Sequence, residues 1–128
     1  MRSRSRATTS GRSGARRAGK YGAVRTVYRG VEYASKSEAS YARHLDTLKK
    51  AGVVRSWMRQ VRWKLIVNGV LVCTMVPDFR VEWKDGTVSL IEVKGHATAI
   101  YRLKRKLFEA LYPEVDYRVV KAKEALAL

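Results

Sequence analysis

Cysteine is nearly absent from this chain of 128 residues, where Cys73 stands alone. A single thiol excludes an internal disulfide and any cysteine-rich zinc cluster, and it fits a reducing compartment. The neighbours of Cys73 (LVCTMV) are apolar, so packing is its expected role. Long hydrophobic runs are missing too. No stretch approaches the ~18 apolar residues that span a bilayer. The N-terminus lacks the apolar block of a signal peptide. Acidic residues are scarce, 11 against 27 Lys+Arg, and the formal net charge is +16. Such an imbalance points to a polyanionic partner, either nucleic acid or an anionic membrane surface. A membrane-surface role needs a helix with a wide unpartnered apolar face, which makes nucleic acid the expected partner.

The charge is unevenly placed. Residues 1–20 (MRSRSRATTSGRSGARRAGK) hold seven basic residues, Arg16, Arg17 and Lys20 among them, and no acid. After Met1 they contain no large apolar side chain, so no amphipathic face forms. A disordered nucleic-acid-binding arm is expected there, rather than an organelle transit peptide. Residues 21–128 still carry 20 basic residues against 11 acidic ones. This length suits one domain, expected over 21–128.

RTVYRGVEYA (25–34) reads as a hairpin turning at Arg29-Gly30. Ser35 and Glu38 have capping-box spacing, Tyr41, Leu45 and Leu48 recur at helical intervals, and Gly52 is a stop, so a helix is expected over about 37–51. Val61, Trp63, Leu65 and Val67 alternate with Arg62 and Lys64. Asn68-Gly69 signals a tight hairpin turn, from which VLVCTMV is expected to return as a buried strand. FRVEW alternates, with Phe79, Val81 and Trp83 on one face. Lys84-Asp85-Gly86 makes the next turn, and TVSLIEVK is the following strand. A second helix is expected over about 98–111, with Ile100, Leu103, Leu107 and Leu111 as the stripe facing the sheet. Its other face carries Arg102, Lys104, Arg105 and Lys106. DYRVV is a last strand, and a helical connection into it implies a right-handed crossover to a parallel neighbour. KAKEALAL is a short helix or a frayed end. The expected fold class is α/β: a mixed sheet, made of an antiparallel meander and a parallel last strand, with flanking helices.

Chemistry gathers in VPDFRVEWKDGTVSLIEVKG (76–95). Glu92 and Lys94 point the same way, because side chains alternate faces along a strand. Asp78 and Glu92 lie equally far from the turn at Asp85-Gly86, so cross-strand pairing sets their carboxylates opposite each other, roughly 5 Å apart at Cβ. Two carboxylates at that distance repel unless a cation separates them. A hard oxygen-ligated ion such as Mg²⁺ answers that need and takes phosphate oxygens as further ligands. An ammonium beside it can position water or stabilise a developing oxyanion. Glu82 and Asp85 read as surface and turn residues.

Pro77-Asp78, then thirteen residues, then Glu92-Val93-Lys94, resembles the motif of the PD-(D/E)xK nuclease superfamily. The order helix, meander, helix, strand is that of its restriction-endonuclease-like core. KYGAVRTVYRGVEYASKSEA, the Gln60 segment, VPDF, EVKG and YRLKRKLFEALYP are similar to segments of small phage nucleases of that superfamily. Archaeal-type Holliday junction resolvases are similar in size, charge and active-site order, but have a short strand where this chain inserts the hairpin 61–76. The resemblance implies a Mg²⁺-dependent, structure-selective DNA endonuclease (Mn²⁺ may replace Mg²⁺), closest to a junction-resolving enzyme. It implies that Asp78 and Glu92 ligate the metal, with the Val93 backbone carbonyl as a further ligand. Lys94 is then the catalytic ammonium. Glu38 fits the helix 1 acid of many members, and Gln60 stands where relatives hold a Gln that orients the Lys or a water. Duplex or branched DNA is the expected substrate, met by Arg102, Lys104, Arg105 and Lys106, with Arg16, Arg17, Lys20 and Lys36 adding contacts. Cutting two strands symmetrically implies a homodimer. No membrane and no small-molecule cofactor are expected, and the implied setting is the cytoplasm of a phage-infected host.

Plainer readings stand beside these. Glu38 can serve only as the helix cap. The basic face of the second helix can be merely solvated. His96 reads as a loop residue and His44 as packing or surface. Trp57, Trp63 and Trp83 read as core residues more than as base-stacking platforms. A non-catalytic nucleic-acid-binding protein on the same scaffold is the alternative to an enzyme.

Overall fold

A computed structural model describes residues 24–128. Arg16, Arg17, Lys20 and the arm to which they were assigned lie outside the described residues. The chain opens with a small hairpin, β1 (Thr26–Tyr28) and β2 (Val31–Tyr33). Its turn sits at Arg29 and Gly30, both with positive φ. Helix α1 (Lys36–Lys50) follows, capped by Ser35, whose hydroxyl accepts the Glu38 N–H at 3.1 Å. The remaining elements are β3 (Val54–Arg59), β4 (Trp63–Val67), β5 (Val70–Met75), β6 (Phe79–Trp83), β7 (Val88–Lys94), α2 (Ala99–Leu111), β8 (Asp116–Lys121) and α3 (Ala122–Leu126).

The main sheet has the order β3-β6-β7-β8. β3 pairs antiparallel with β6 and β6 with β7, and β8 lies parallel to β7. The fold is therefore α/β with a mixed sheet, and the parallel last strand is as expected. The meander differs from the expectation. Residues 63–75 do not enter the main sheet; β4 and β5 pair only with each other. Their place beside β6 is taken by β3, a strand that the sequence pattern did not announce. VRSWMR mixes charge and bulk without clean alternation, and a bulge between Val54 and Ser56 breaks its period. That bulge frees Arg55 to reach Glu82 at 3.0 Å and the Lys84 carbonyl at 2.9 Å.

The two faces of the sheet bury different cores. Phe79, Val81, Ile91 and Val93 pack with Tyr33, Tyr41, Leu45 and Ala125, under α1, α3 and the first hairpin. Leu90 packs on the other face with Leu65, Met75 and Phe108, under α2 and the second hairpin. This alternation follows from the period of two along β6 and β7. Phe79 and Phe108 are fully buried, and each burial contributes about 2–3 kcal/mol. The tryptophans are packing residues: Trp57 sets its edge on Phe79, Trp63 sits between Phe108 and Tyr112, and Trp83 donates to Ser89 at 2.7 Å. Cys73 is partly buried against the second core.

Two apolar expectations are corrected. Of the expected stripe, Leu107 and Leu111 pack on the second core, whereas Ile100 and Leu103 are each 66 % exposed, so the inward face of α2 runs through Tyr101, Lys104, Leu107, Phe108 and Leu111. Val70, Leu71 and Val72 were expected to be buried, yet are 62, 53 and 54 % exposed. They project past the core around the Asn68-Gly69 turn, where both residues have positive φ. Residues 65–77 carry no charge at all in a chain that is 30 % charged, so this tip is an uncharged apolar projection.

Candidate active site

Pro77 is fully buried and has no N–H to give, so the β6 ladder starts at Phe79 and Asp78 stands at its head. Phe79 pairs with Ile91 and Arg80 with Leu90. One step further in that register brings Asp78 opposite Glu92, as the turn position implied. The turn is closed by Trp83 and Thr87, whose N–H to carbonyl distance is 2.8 Å. Asp78 Oδ2 accepts the Val93 N–H at 2.8 Å. A strand residue presents its N–H and C=O to the same edge, so the Val93 carbonyl also faces the Asp78 side.

Glu92 is 8 % exposed, and its carboxyl stands across from that of Asp78 in the β6–β7 register. Burial first, then the Glu92 charge, pushes Asp78 up to about 7. Glu92 is also pushed up to about 7 by burial, against the opposing pull of Lys94. Glu38 is pushed to about 7 by burial and then by the charge of Asp78. Three carboxyls from α1, β6 and β7 thus sense one another, and each resists ionising without a cation nearby. Among the described residues, no three His, Cys, Asp or Glu side chains are gathered closely enough to hold a metal ion by themselves. Asp78 and Glu92 nonetheless provide two oxygen donors, which suits an ion that draws its remaining ligands from water and phosphate.

Lys94 Nζ lies 3.9 Å from Glu92 Oε2 and 4.2 Å from the centre of the Tyr101 ring. The ammonium is therefore held between an acid and an aromatic face. The Tyr101 and Tyr117 hydroxyls are 2.6 Å apart, and Tyr117 stands near enough to Glu92 to lower its pKa against burial. Burial pushes the Tyr117 phenol strongly up, which keeps it a donor. Glu92, Lys94, Tyr101 and Tyr117 close a ring of contacts.

Glu38 serves as a cap and faces the site together. Its N–H binds the Ser35 hydroxyl, its Oε2 lies 3.5 Å from that hydroxyl, and it takes a backbone contact at Ala34. The Arg59 guanidinium, 4.1 Å above the Tyr33 ring, lowers the Glu38 pKa against its burial. Gln60 is exposed, with φ 52, and its N–H donates to the Asp78 carbonyl at 3.1 Å. This left-handed residue ends β3 and turns the chain out toward β4, so Gln60 touches the site through its backbone. Its side chain is not drawn to Lys94 by any hydrogen bond seen here.

The basic residues divide. Arg102, Lys106 and Lys36 are exposed. Lys104 is half-buried and donates to the Thr74 carbonyl at 3.1 Å, tying α2 to β5. Arg105 pairs with Glu109 at 3.3 Å and leans over Tyr117 at 5.6 Å. Lys104 and Arg105 are thus braces as much as surface cations. Glu82 pairs with Arg55 and Asp85 caps its turn through the Thr87 N–H, so both stay outside the site. His96 lies in the exposed loop after β7.

Sequence reasoning missed Tyr101, Tyr117 and Arg59. The available signal was the helical spacing of Tyr101 with Lys104, Arg105 and Phe108, which marks an inward face richer than the aliphatic stripe. Tyr117 had no such signal, since its approach to Glu92 depends on how β8 pairs with β7.

Comparison with curated proteins and with solved structures returned no match. A family model described as "Protein of unknown function (DUF1064)" matches residues 18–125, and the chain belongs to that family.

Proposed function

We propose that this protein is a metal-dependent DNA endonuclease of the PD-(D/E)xK type with a restriction-endonuclease-like core. The observation that carries the reading is Asp78 standing opposite Glu92 by the β6–β7 register, with the Val93 N–H 2.8 Å from Asp78 Oδ2 and the Lys94 ammonium 3.9 Å from Glu92. Supporting it are the net charge of +16 and the element order helix, antiparallel strands, helix, parallel strand.

On this reading Asp78 and Glu92 would hold Mg²⁺, or Mn²⁺ in its place, with the Val93 carbonyl as a further donor and Glu38 in the outer sphere. When bound, the ion supplies Lewis acidity toward a phosphodiester and a more acidic water. Lys94 then orients the attacking water or donates to the phosphoryl oxygen on which charge grows. Tyr101 and Tyr117 keep Lys94 and Glu92 in register. Water forms the new P–O bond, one ester P–O bond breaks, and the leaving oxygen takes a proton. Arg102, Lys106 and Lys36 meet the backbone phosphates. The enzyme selects branched DNA in the manner of a junction resolvase, works as a homodimer, and acts in the cytoplasm of a phage-infected host.

A cleavage panel tests this: linear duplex, single strand, flap and four-way junction, each with and without Mg²⁺. Cleavage of branched substrate only with metal is expected. Binding without cleavage under Mg²⁺ and Mn²⁺ would replace the enzyme with a non-catalytic DNA-binding protein.

A further inference from the structure

A cleft of about 330 Å³ opens beside Glu92 and Lys94, between residues 74–76 and the first turns of α2. Its lining includes the Glu92 carboxyl, Tyr101, Thr74 and Thr98, beside two further kinds of wall. Met75, Val76 and Ile100 are aliphatic or thioether surface, and Lys94 and Lys104 bring cations. Lys94 already covers one face of the Tyr101 ring, so a guest meets the aliphatic wall rather than that face. Lys104 is anchored to the Thr74 carbonyl at 3.1 Å and therefore stays at the cleft. Ile100 is 66 % exposed and stands in this lining, a position with no role in the core.

The volume lies at the small end of ligand sites, which run from about 300 to about 1,000 Å³. It suits one nucleotide and not a base pair with its second strand. We propose that the cleft receives a single unpaired DNA nucleotide beside the scissile phosphodiester, with its base against Ile100, Val76 and Met75 and its phosphate near Lys104 and Lys94. The inference rests on the hydrolytic reading above and names its substrate class. A base inside a duplex is stacked on two neighbours and paired across the helix, and drawing it out is easiest where it is already unpaired. The wall then accepts any base, because apolar contact carries no donor–acceptor code. The substrates are flaps, bulges, single strands and frayed branch points.

The test is metal-free binding, in EDTA, of a duplex with one bulged 2-aminopurine and of its fully paired counterpart. The bulged DNA is expected to bind at least about tenfold more tightly, with a change in 2-aminopurine emission. Ile100→Ser, at an exposed position, keeps the net charge and should abolish that preference by lowering the affinity for the bulged DNA. Equal affinities, or a preference that survives Ile100→Ser, overturns the nucleotide site, as does tighter binding of the RNA counterpart for the assignment to DNA. Failure here is separable from failure of the nuclease reading. Cleavage of DNA without the bulge preference removes the cleft's role alone. The preference without cleavage under Mg²⁺ or Mn²⁺ keeps the nucleotide site and removes the hydrolysis.

Discussion

The backbone amide of Val93 holds the Asp78 carboxylate, 2.8 Å from Oδ2. The bond runs from β7 to the residue just before β6, past the last ladder pair, so it fixes the acid where backbone pairing has ended. An Asn at position 78 keeps an acceptor for Val93 but loses the charge. Asp78→Asn should fold normally and lose about 10²–10³-fold in single-turnover cleavage with Mg²⁺. Lys94→Ala should fall as far. Parental rates in either variant would remove the site assignment.

Stability of the metal-free protein should fall as pH rises. Asp78, Glu92 and Glu38 are pushed up to about 7 in the fold, from ordinary values of 3.8, 4.5 and 4.5. Between those limits the folded chain binds more protons than the unfolded one, so these groups favour folding most at low pH and lose that contribution as pH climbs through about 7. Melting temperature without metal should drop from about pH 5 to about pH 8. Mg²⁺ should raise it more at the upper end, where the carboxylates are ionised, and Asp78→Asn should flatten both effects.

Tyr117→Phe removes the hydroxyl that pairs with Tyr101 beside Glu92 and leaves the ring on Phe108. The loss to stability should be about 1 kcal/mol. Metal binding should weaken by about tenfold or more, since Glu92 loses the partner that orients it. Calorimetric titration with Mg²⁺ or Mn²⁺ measures this without any DNA. An unchanged affinity would reduce the tyrosine pair to packing.

On the proposed reading, the uncharged hairpin tip is the surface where two copies of this basic chain would meet. Light scattering should show two copies for the parent chain. Leu71→Glu, at a 53 % exposed position, should shift it to one copy without unfolding. A monomeric parent at working concentration would withdraw symmetric two-strand cutting and leave nicking.

The pairing of Asp78 with Glu92 was legible in the sequence, because a tight turn at Asp85-Gly86 and a period of two leave one register. Lys94 followed from the same period. The capping role of Ser35 was legible from its spacing to Glu38, and the turns at Arg29-Gly30 and Asn68-Gly69 from local backbone preference. Each of these depends on residues close in sequence. Tertiary structure alone decided the rest. It put β3 rather than the second hairpin beside β6, rotated α2 so that aromatics face inward and Ile100 faces the cleft, and set Glu38 within electrostatic reach of Asp78. It also brought Tyr117 onto Glu92 through the parallel β7–β8 pairing. These outcomes follow from which surfaces compete for the same buried space, and no local pattern encodes that competition.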